Sequence, residues 1–137
     1  MKNIIIFGKV TQGAHFGKKL GFPTANLDRR DYSRRHLKIK LGVYAGKAEI
    51  IPPTLPPPRG EKRKERAHRA GIVIGPIDKS GLPKIEAHLL NFKGNLYGKK
   101  VIISLQKYIR PFKKFSSTDV LKRQIKKDIQ EIKKLRN

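Results

Sequence analysis

Apolar residues recur along this chain in two rhythms. Up to about residue 109 they come in short runs rich in β-branched and aromatic side chains, bounded by glycine, proline and polar residues, which is the pattern of strands. The runs cover residues 3–10 (NIIIFGKV), 41–50 (LGVYAGKAEI), 70–75 (AGIVIG), 84–92 (KIEAHLLNF) and 100–109 (KVIISLQKYI). Turn chemistry separates the later ones, at Asp78 to Pro83 and at Lys93-Gly94-Asn95. Strands at this spacing without helices between them predict an antiparallel sheet that curls or closes into a barrel.

Beyond residue 115 the period changes. Leu121, Ile125, Ile129, Ile132 and Leu135 fall at steps of four, four, three and three, one apolar stripe on a helix predicted over 117–136. Ser116-Ser117-Thr118-Asp119 resembles a capping box, in which the first serine hydroxyl and the carboxylate after it satisfy orphan backbone amides. The opposite face is dense in lysine, the usual composition of a solvated face.

Between the second and third runs, residues 51–69 (IPPTLPPPRGEKRKERAHR) carry five prolines and many charges. Proline removes ladder donors and favours extended polyproline conformations, so an exposed loop is expected. Pro53 to Pro58 suits an aromatic-lined partner and Lys62 to Arg66 suits nucleic acid, beside the plain reading of a flexible insertion.

Composition narrows the picture. At 137 residues and 37% hydrophobic content, the chain fits one domain over 1–137. The absence of cysteine excludes disulfides and thiolate metal sites and fits a reducing compartment. The apolar run Ile4 to Phe7 is far shorter than the roughly 20 residues of a membrane span, so a cytoplasmic monomer with no membrane partner is expected. The formal charge of +23 far exceeds the magnitude of about 2–8 usual for a small domain. It fits anionic partners, whether phosphorylated small molecules, nucleic acid or an anionic membrane surface, and equally a solvated lysine-rich surface.

Two segments offer chemistry. Gly8 to Gly21 (GKVTQGAHFGKKLG) leaves a strand with exposed amides and adjacent ammonium groups, a composition able to cradle phosphates, although it matches neither the Walker pattern nor the dinucleotide fingerprint. Phe22-Pro23-Thr24-Ala25-Asn26 follows directly. In an extended segment Thr24 and Asn26 face one side and can offer two hard oxygens to one Mg²⁺, or simply bond the backbone of a turn. In Lys84 to Leu90, period two puts Ile85, Ala87 and Leu89 on one face and Glu86, His88 and Leu90 on the other. Between Arg66 and Thr118 the acidic residues are Asp78 and Glu86, and Asp78 sits in a turn. Glu86 is therefore the candidate general base of this half, with a surface role balancing lysines as the alternative. His15, His36 and His68 have no ligand-like spacing and read as ordinary surface or loop residues.

These segments together resemble the riboflavin kinase family, meaning the stand-alone enzyme and the C-terminal half of the bacterial bifunctional riboflavin kinase and FAD synthetase. The resemblance rests on Gly8 to Leu27 with its Leu20-Gly21-Phe22-Pro23-Thr24-Ala25-Asn26 core, Gly42-Val43-Tyr44-Ala45-Gly46 and Glu86-Ala87-His88-Leu89-Leu90-Asn91-Phe92. Leu96-Tyr97-Gly98, Ile109-Arg110-Pro111 and Phe115-Ser116-Ser117 complete it. It implies a mainly β fold, a six-stranded antiparallel Greek-key-like barrel with a C-terminal helix. It implies that Thr24 and Asn26 hold the Mg²⁺ of ATP, that Gly13 and Lys18 contact the nucleotide from a glycine-rich flap, and that Glu86 is the catalytic carboxylate. Leu89, Asn91 and Tyr97 match positions lining the nucleotide site, and Arg110, Lys113 and Phe115 match positions on the riboflavin or FMN side. Two departures stand out: a compact Pro76 to Pro83 turn, and a long basic loop at 51–69. An adenylyltransferase half is not expected, as Met1 lies only a few residues before the first strand. The alternative from another class is a basic β-barrel that binds nucleic acid on the same scaffold.

Overall fold

A computed structural model describes residues 4–11, 25–51, 67–92 and 96–135. The described chain forms strands β1 (Ile4–Thr11), β2 (Ala25–Leu27), β3 (Gly42–Ile51), β4 (Ala67–Ile77), β5 (Pro83–Leu89) and β6 (Lys100–Arg110), with helices α1 (Arg30–Arg34) and α2 (Thr118–Lys133). The strands close into a barrel in the order β1-β2-β5-β4-β3-β6, every pairing antiparallel. Strands β3, β4 and β5 follow one another, and β6 returns to lie beside β3, the Greek-key arrangement. Five strands coincide with the five apolar runs. β2 and α1 have no such run behind them, because three residues and five residues are too short to show a period.

Alternation is what fills the barrel. On β5, Pro83, Ile85, Ala87 and Leu89 are buried while Lys84 is exposed and Glu86 and His88 lie between, which is the expected two-faced strand. Ile6, Ile72, Ile74, Ile85 and Ile103 are wholly or almost wholly buried and, with Ala48, Ala70 and Ala87, make one close-packed interior. Small residues beside large ones let a narrow barrel fill without voids.

Helix α2 covers the outer face of β3 and β4. Ile132 packs with Ala45 and Leu90 in a second apolar cluster, edged by Ile109, Ile129 and Leu135. Gly71 permits this approach, since a Cβ there would lie 2.8 Å from Ile132 Cδ1. The helix starts one residue later than the capping-box reading places it: Ser117, not Ser116, is the N-cap, and its Oγ accepts from Val120 N at 3.2 Å. No described helix is long and apolar enough to cross a membrane. The 51–69 loop lies outside the described residues except at its ends, as do the Lys93-Gly94-Asn95 turn and residues 12–21 of the glycine-rich stretch.

Candidate active site

The pairing of β1, β2, β5 and β4 lays four residues in a row around the barrel: Thr11 is the register partner of Asn26, Asn26 of Glu86, and Glu86 of Val73. Ala25 and Leu27 point inward on β2, so Asn26 points outward, as Glu86 does on β5. Residues directly opposite on one face of an antiparallel pair have neighbouring side chains. Asn26 and Glu86, chosen independently from two segments 60 positions apart, are thus neighbours.

Both open into a cleft of about 370 Å³ lined also by Thr11, Leu27, Asp28, Arg29, Asp78, Lys84 and Ile85. Burial pushes the Glu86 carboxyl above its ordinary value, opposed by the Lys84 ammonium. A carboxylate so raised is a better proton acceptor than a solvated one. Among the described residues Asn26 Nδ2 is buried with no hydrogen-bond partner, a donor whose natural complement is an anionic oxygen from outside the chain. The amide oxygen of Asn26 and the nearby carboxylates of Asp28 and Glu86 are the hard donors that a Mg²⁺ ion accepts. The residues present therefore fit a metal-bound phosphate.

Arg29 and Asp78 form one wall. Arg29 Nη1 donates to the Asp78 carboxylate and, at 3.4 Å, to Leu82 O. Hydrogen bonds from the Ser80 hydroxyl and from Arg29 hold the Asp78 carboxyl well below the usual carboxylate range. Asp78 does sit in a turn, where Asp78 N donates to Leu82 O and Gly81 N to Asp78 O, but that turn folds against the Glu86 cleft. It is not the remote residue its place in the sequence suggests.

The register also sorts the remaining candidates by the end of the barrel they occupy. Arg110 pairs with Val43, and Gly42 with Ile74, so the C-terminal ends of β6 and β4 share one end with the start of β3. Lys100 pairs with Ile51, and Leu89 with Ala70, so Leu89, Asn91 and Tyr97 lie at the opposite end. There Leu89 turns its side chain into the core, leaving its backbone as the part able to meet a ligand. Asn91 has φ +58° and borders a second cleft of about 650 Å³ with Lys47, Ala67, His68, Arg69, Leu90 and Lys133. Tyr97 is 58% exposed. At the first end, the Arg110 guanidinium carbon lies 5.7 Å from the Phe115 ring centroid, Lys113 is exposed, and Phe112 packs over Gly75, where a Cβ would fall 2.7 Å from its ring. Gly13, Lys18 and Thr24 lie outside the described residues. Among the described residues no three His, Cys, Asp or Glu side chains gather as a metal site by themselves.

The family model for riboflavin kinase, Flavokinase, matches residues 1–136. The chain belongs to the riboflavin kinase family. It is 36% identical over 132 residues to the bifunctional riboflavin kinase/FMN adenylyltransferase of Buchnera aphidicola, covering 96% of this chain but 38% of that protein. It is 31% identical over 131 residues to human riboflavin kinase, covering 93% of this chain and 77% of that one. The crystal structure of riboflavin kinase from Trypanosoma brucei superposes with a TM-score of 0.68 at 23% identity, covering 97% of this chain and 79% of that one, a likeness of fold.

Riboflavin kinase motifs led to Asn26, Glu86 and Arg110 but not to Asp28, Arg29, Lys84, Asp78, Gln124 or Asp128. The period that selected Glu86 also selects Lys84, one step back on the same face. Asp128 carried a signal as well: it is an acidic residue set within the apolar stripe between Ile125 and Ile132, and it is buried. Arg29 and Asp78 meet only through a turn and an irregular segment, which no period marks. His68 corrects the surface reading given to it, since it lies in β4, its Nδ1 is 3.3 Å from Leu90 O and its ring stands edge-on to Phe92.

Proposed function

We propose that this protein transfers the γ-phosphoryl group of ATP to the ribityl 5′-hydroxyl of riboflavin, giving FMN and ADP. The observation that carries the reading is the side-by-side placement of Asn26 and Glu86 on the outer face of β2 and β5, partway between the two barrel ends. Nucleotide bound towards Leu89, Asn91 and Tyr97 and flavin bound towards Arg110, Lys113 and Phe115 would bring their reacting ends together beside this pair.

Phosphoryl transfer asks a protein for alignment and charge neutralisation more than for covalent chemistry. In this reading Glu86 takes the proton of the attacking hydroxyl as the new O–P bond forms and the bond from the γ-phosphorus to the β-phosphate bridging oxygen breaks. The Asn26 amide offers its oxygen to a divalent cation, Mg²⁺ in this proposal, and its unpaired N–H to a phosphate oxygen. Thr24 adds a second oxygen, and Gly13 and Lys18 cover the phosphates. When bound, the cation neutralises the phosphate oxygens. Lys84 and Arg29 add positive charge to the wall of the cleft.

Chromatography of a mixture of protein, riboflavin, ATP and Mg²⁺ is expected to show FMN and ADP in equal amounts, and chelation of the divalent cation is expected to abolish both. Folded, Mg²⁺-supplied protein that makes no FMN would overturn the proposal.

A further inference from the structure

Arg110 ends β6, and the segment after it carries Lys113 and Phe115. Its guanidinium is held on two sides. Nε donates to Asp128 Oδ1 at 3.0 Å and Oδ2 at 3.2 Å, Nη2 donates to Asp128 Oδ2 at 2.8 Å, and Nη1 donates to Pro111 O at 3.2 Å. Gln124, one turn before Asp128 on α2, donates from Nε2 to Asp128 Oδ1 at 3.0 Å. The two charged side chains are only 14% and 10% exposed.

A buried ion pair is poor evidence of added stability, because desolvating both charges offsets most of their attraction and an apolar pair of equal volume often does as well. What such a pair does supply is geometry, since a carboxylate and a guanidinium that meet through two nitrogens have one mutual orientation. Donor counting then shows what is left over. Of the five guanidinium N–H groups, two go to Asp128 and one to Pro111 O, leaving one on each terminal nitrogen. The same contacts tie the 111–115 segment to the helix: Pro111 accepts from Arg110, and Phe115 lies beside its cation.

We infer that Asp128, braced by Gln124, is a positioning residue for flavin binding: it fixes the Arg110 guanidinium, and with it Phe115, so that the remaining N–H pair is presented to the substrate. The inference rests on the proposed kinase reading and on Arg110 as a flavin contact. It makes α2 part of the riboflavin site although none of its side chains need touch the ligand. Its chemistry also sets a selectivity. Two N–H donors, one on each terminal nitrogen, suit the acceptor atoms of a flavin ring and do not reach the adenine nucleotide at the other barrel end.

The experiment compares KM for riboflavin and for MgATP, kcat and melting temperature in wild type and four variants. Asp128→Asn keeps the volume and removes the charge. It is expected to raise the riboflavin KM roughly tenfold or more, the size of one lost charge-assisted hydrogen bond, with little change in the MgATP KM. Gln124→Ala, a milder loss that leaves the ion pair in place, is expected to raise it about twofold to threefold, and this variant stands in if Asp128→Asn does not fold. Arg110→Ala should raise the riboflavin KM at least as much as Asp128→Asn. Ile132→Ala loosens the same helix without touching the pair, and should lower the melting temperature while leaving the riboflavin KM near wild type. Wild type that makes no FMN overturns the kinase reading, and an unchanged riboflavin KM in Arg110→Ala removes the flavin contact. A raised KM in Arg110→Ala with none in Asp128→Asn or Gln124→Ala overturns the positioning role alone. So does a rise in Ile132→Ala equal to that in Asp128→Asn, which would reduce the effect to helix docking.

Discussion

At the scale of single residues, Glu86 carries the sharpest consequences. A positioned general base contributes about 10²- to 10⁴-fold to a rate. Glu86→Gln keeps the shape and is expected to lower kcat by about two orders of magnitude or more, with both KM values changed far less. Asp119, in the first turn of α2, is a fair control, whereas Asp78 is not, because it shares the cleft with Glu86. Burial raises the Glu86 pKa, so its proton is held more tightly in the folded state than in the unfolded one. The wild-type acid limb of kcat/KM, which follows the ionisation of the free enzyme, should therefore lie above the ordinary glutamate value. The stability associated with that proton is present in acid and lost as pH rises from the ordinary value through the raised one. Glu86→Gln should consequently melt at or above the wild-type temperature at neutral pH, and the difference should shrink in acid. A kcat near wild type, or a variant that melts lower at neutral pH and not in acid, would contradict the assignment. The outward placing of Glu86 on β5 was legible in the sequence because a strand's period two separates a carboxylate from its apolar neighbours. Arg29 and Asp78 were not, because the fold of one turn brings them to the cleft.

Elements differ in the same way. Where residues alternate, as in β5, the pattern names both the strand and its buried face, whereas β3, buried on both faces from Gly42 to Gly46, reads as a strand without naming one. β2 is three residues long and became a strand by pairing with β1 and β5 on either side, so tertiary context made it and only the family resemblance anticipated a sixth strand. The helix stripe was legible, yet the stripe alone does not say which sheet face it covers. Gly71 answers that, as β4 has no side chain where Ile132 arrives. Gly71→Val is expected to push α2 from the barrel, destabilising the fold by about 1–3 kcal/mol as overpacking does, even though valine suits a strand better than glycine. Urea unfolding gives the measurement. An unchanged or raised midpoint would mean that the helix does not rest on β4 as closely as 2.8 Å implies.

Across the whole molecule the two barrel ends and the charge must be considered together. A formal +23 on 137 residues sets up a positive field, and such fields raise encounter rates for anions while leaving neutral molecules unaffected. The two proposed substrates differ in just this respect: MgATP is anionic and riboflavin is neutral. Screening shortens to about 3 Å at 1 M salt from about 10 Å at 0.1 M, so added salt should remove the long-range part of the attraction and little of the short contacts inside the cleft. With MgATP varied and riboflavin saturating, kcat/KM is expected to fall steadily as sodium chloride rises. With riboflavin varied and MgATP saturating, it should stay nearly flat, and kcat should hold in both series. Helix α2 contributes to the field, for Lys122, Arg123, Lys126 and Lys127 are all exposed and form no ion pair with a described residue. Lys122→Gln together with Lys126→Gln, far from Glu86 in sequence, should flatten the salt slope for MgATP without changing kcat. Equal salt slopes for both substrates would place the effect on the fold itself, and a slope for neither would leave the positive surface without a part in catalysis.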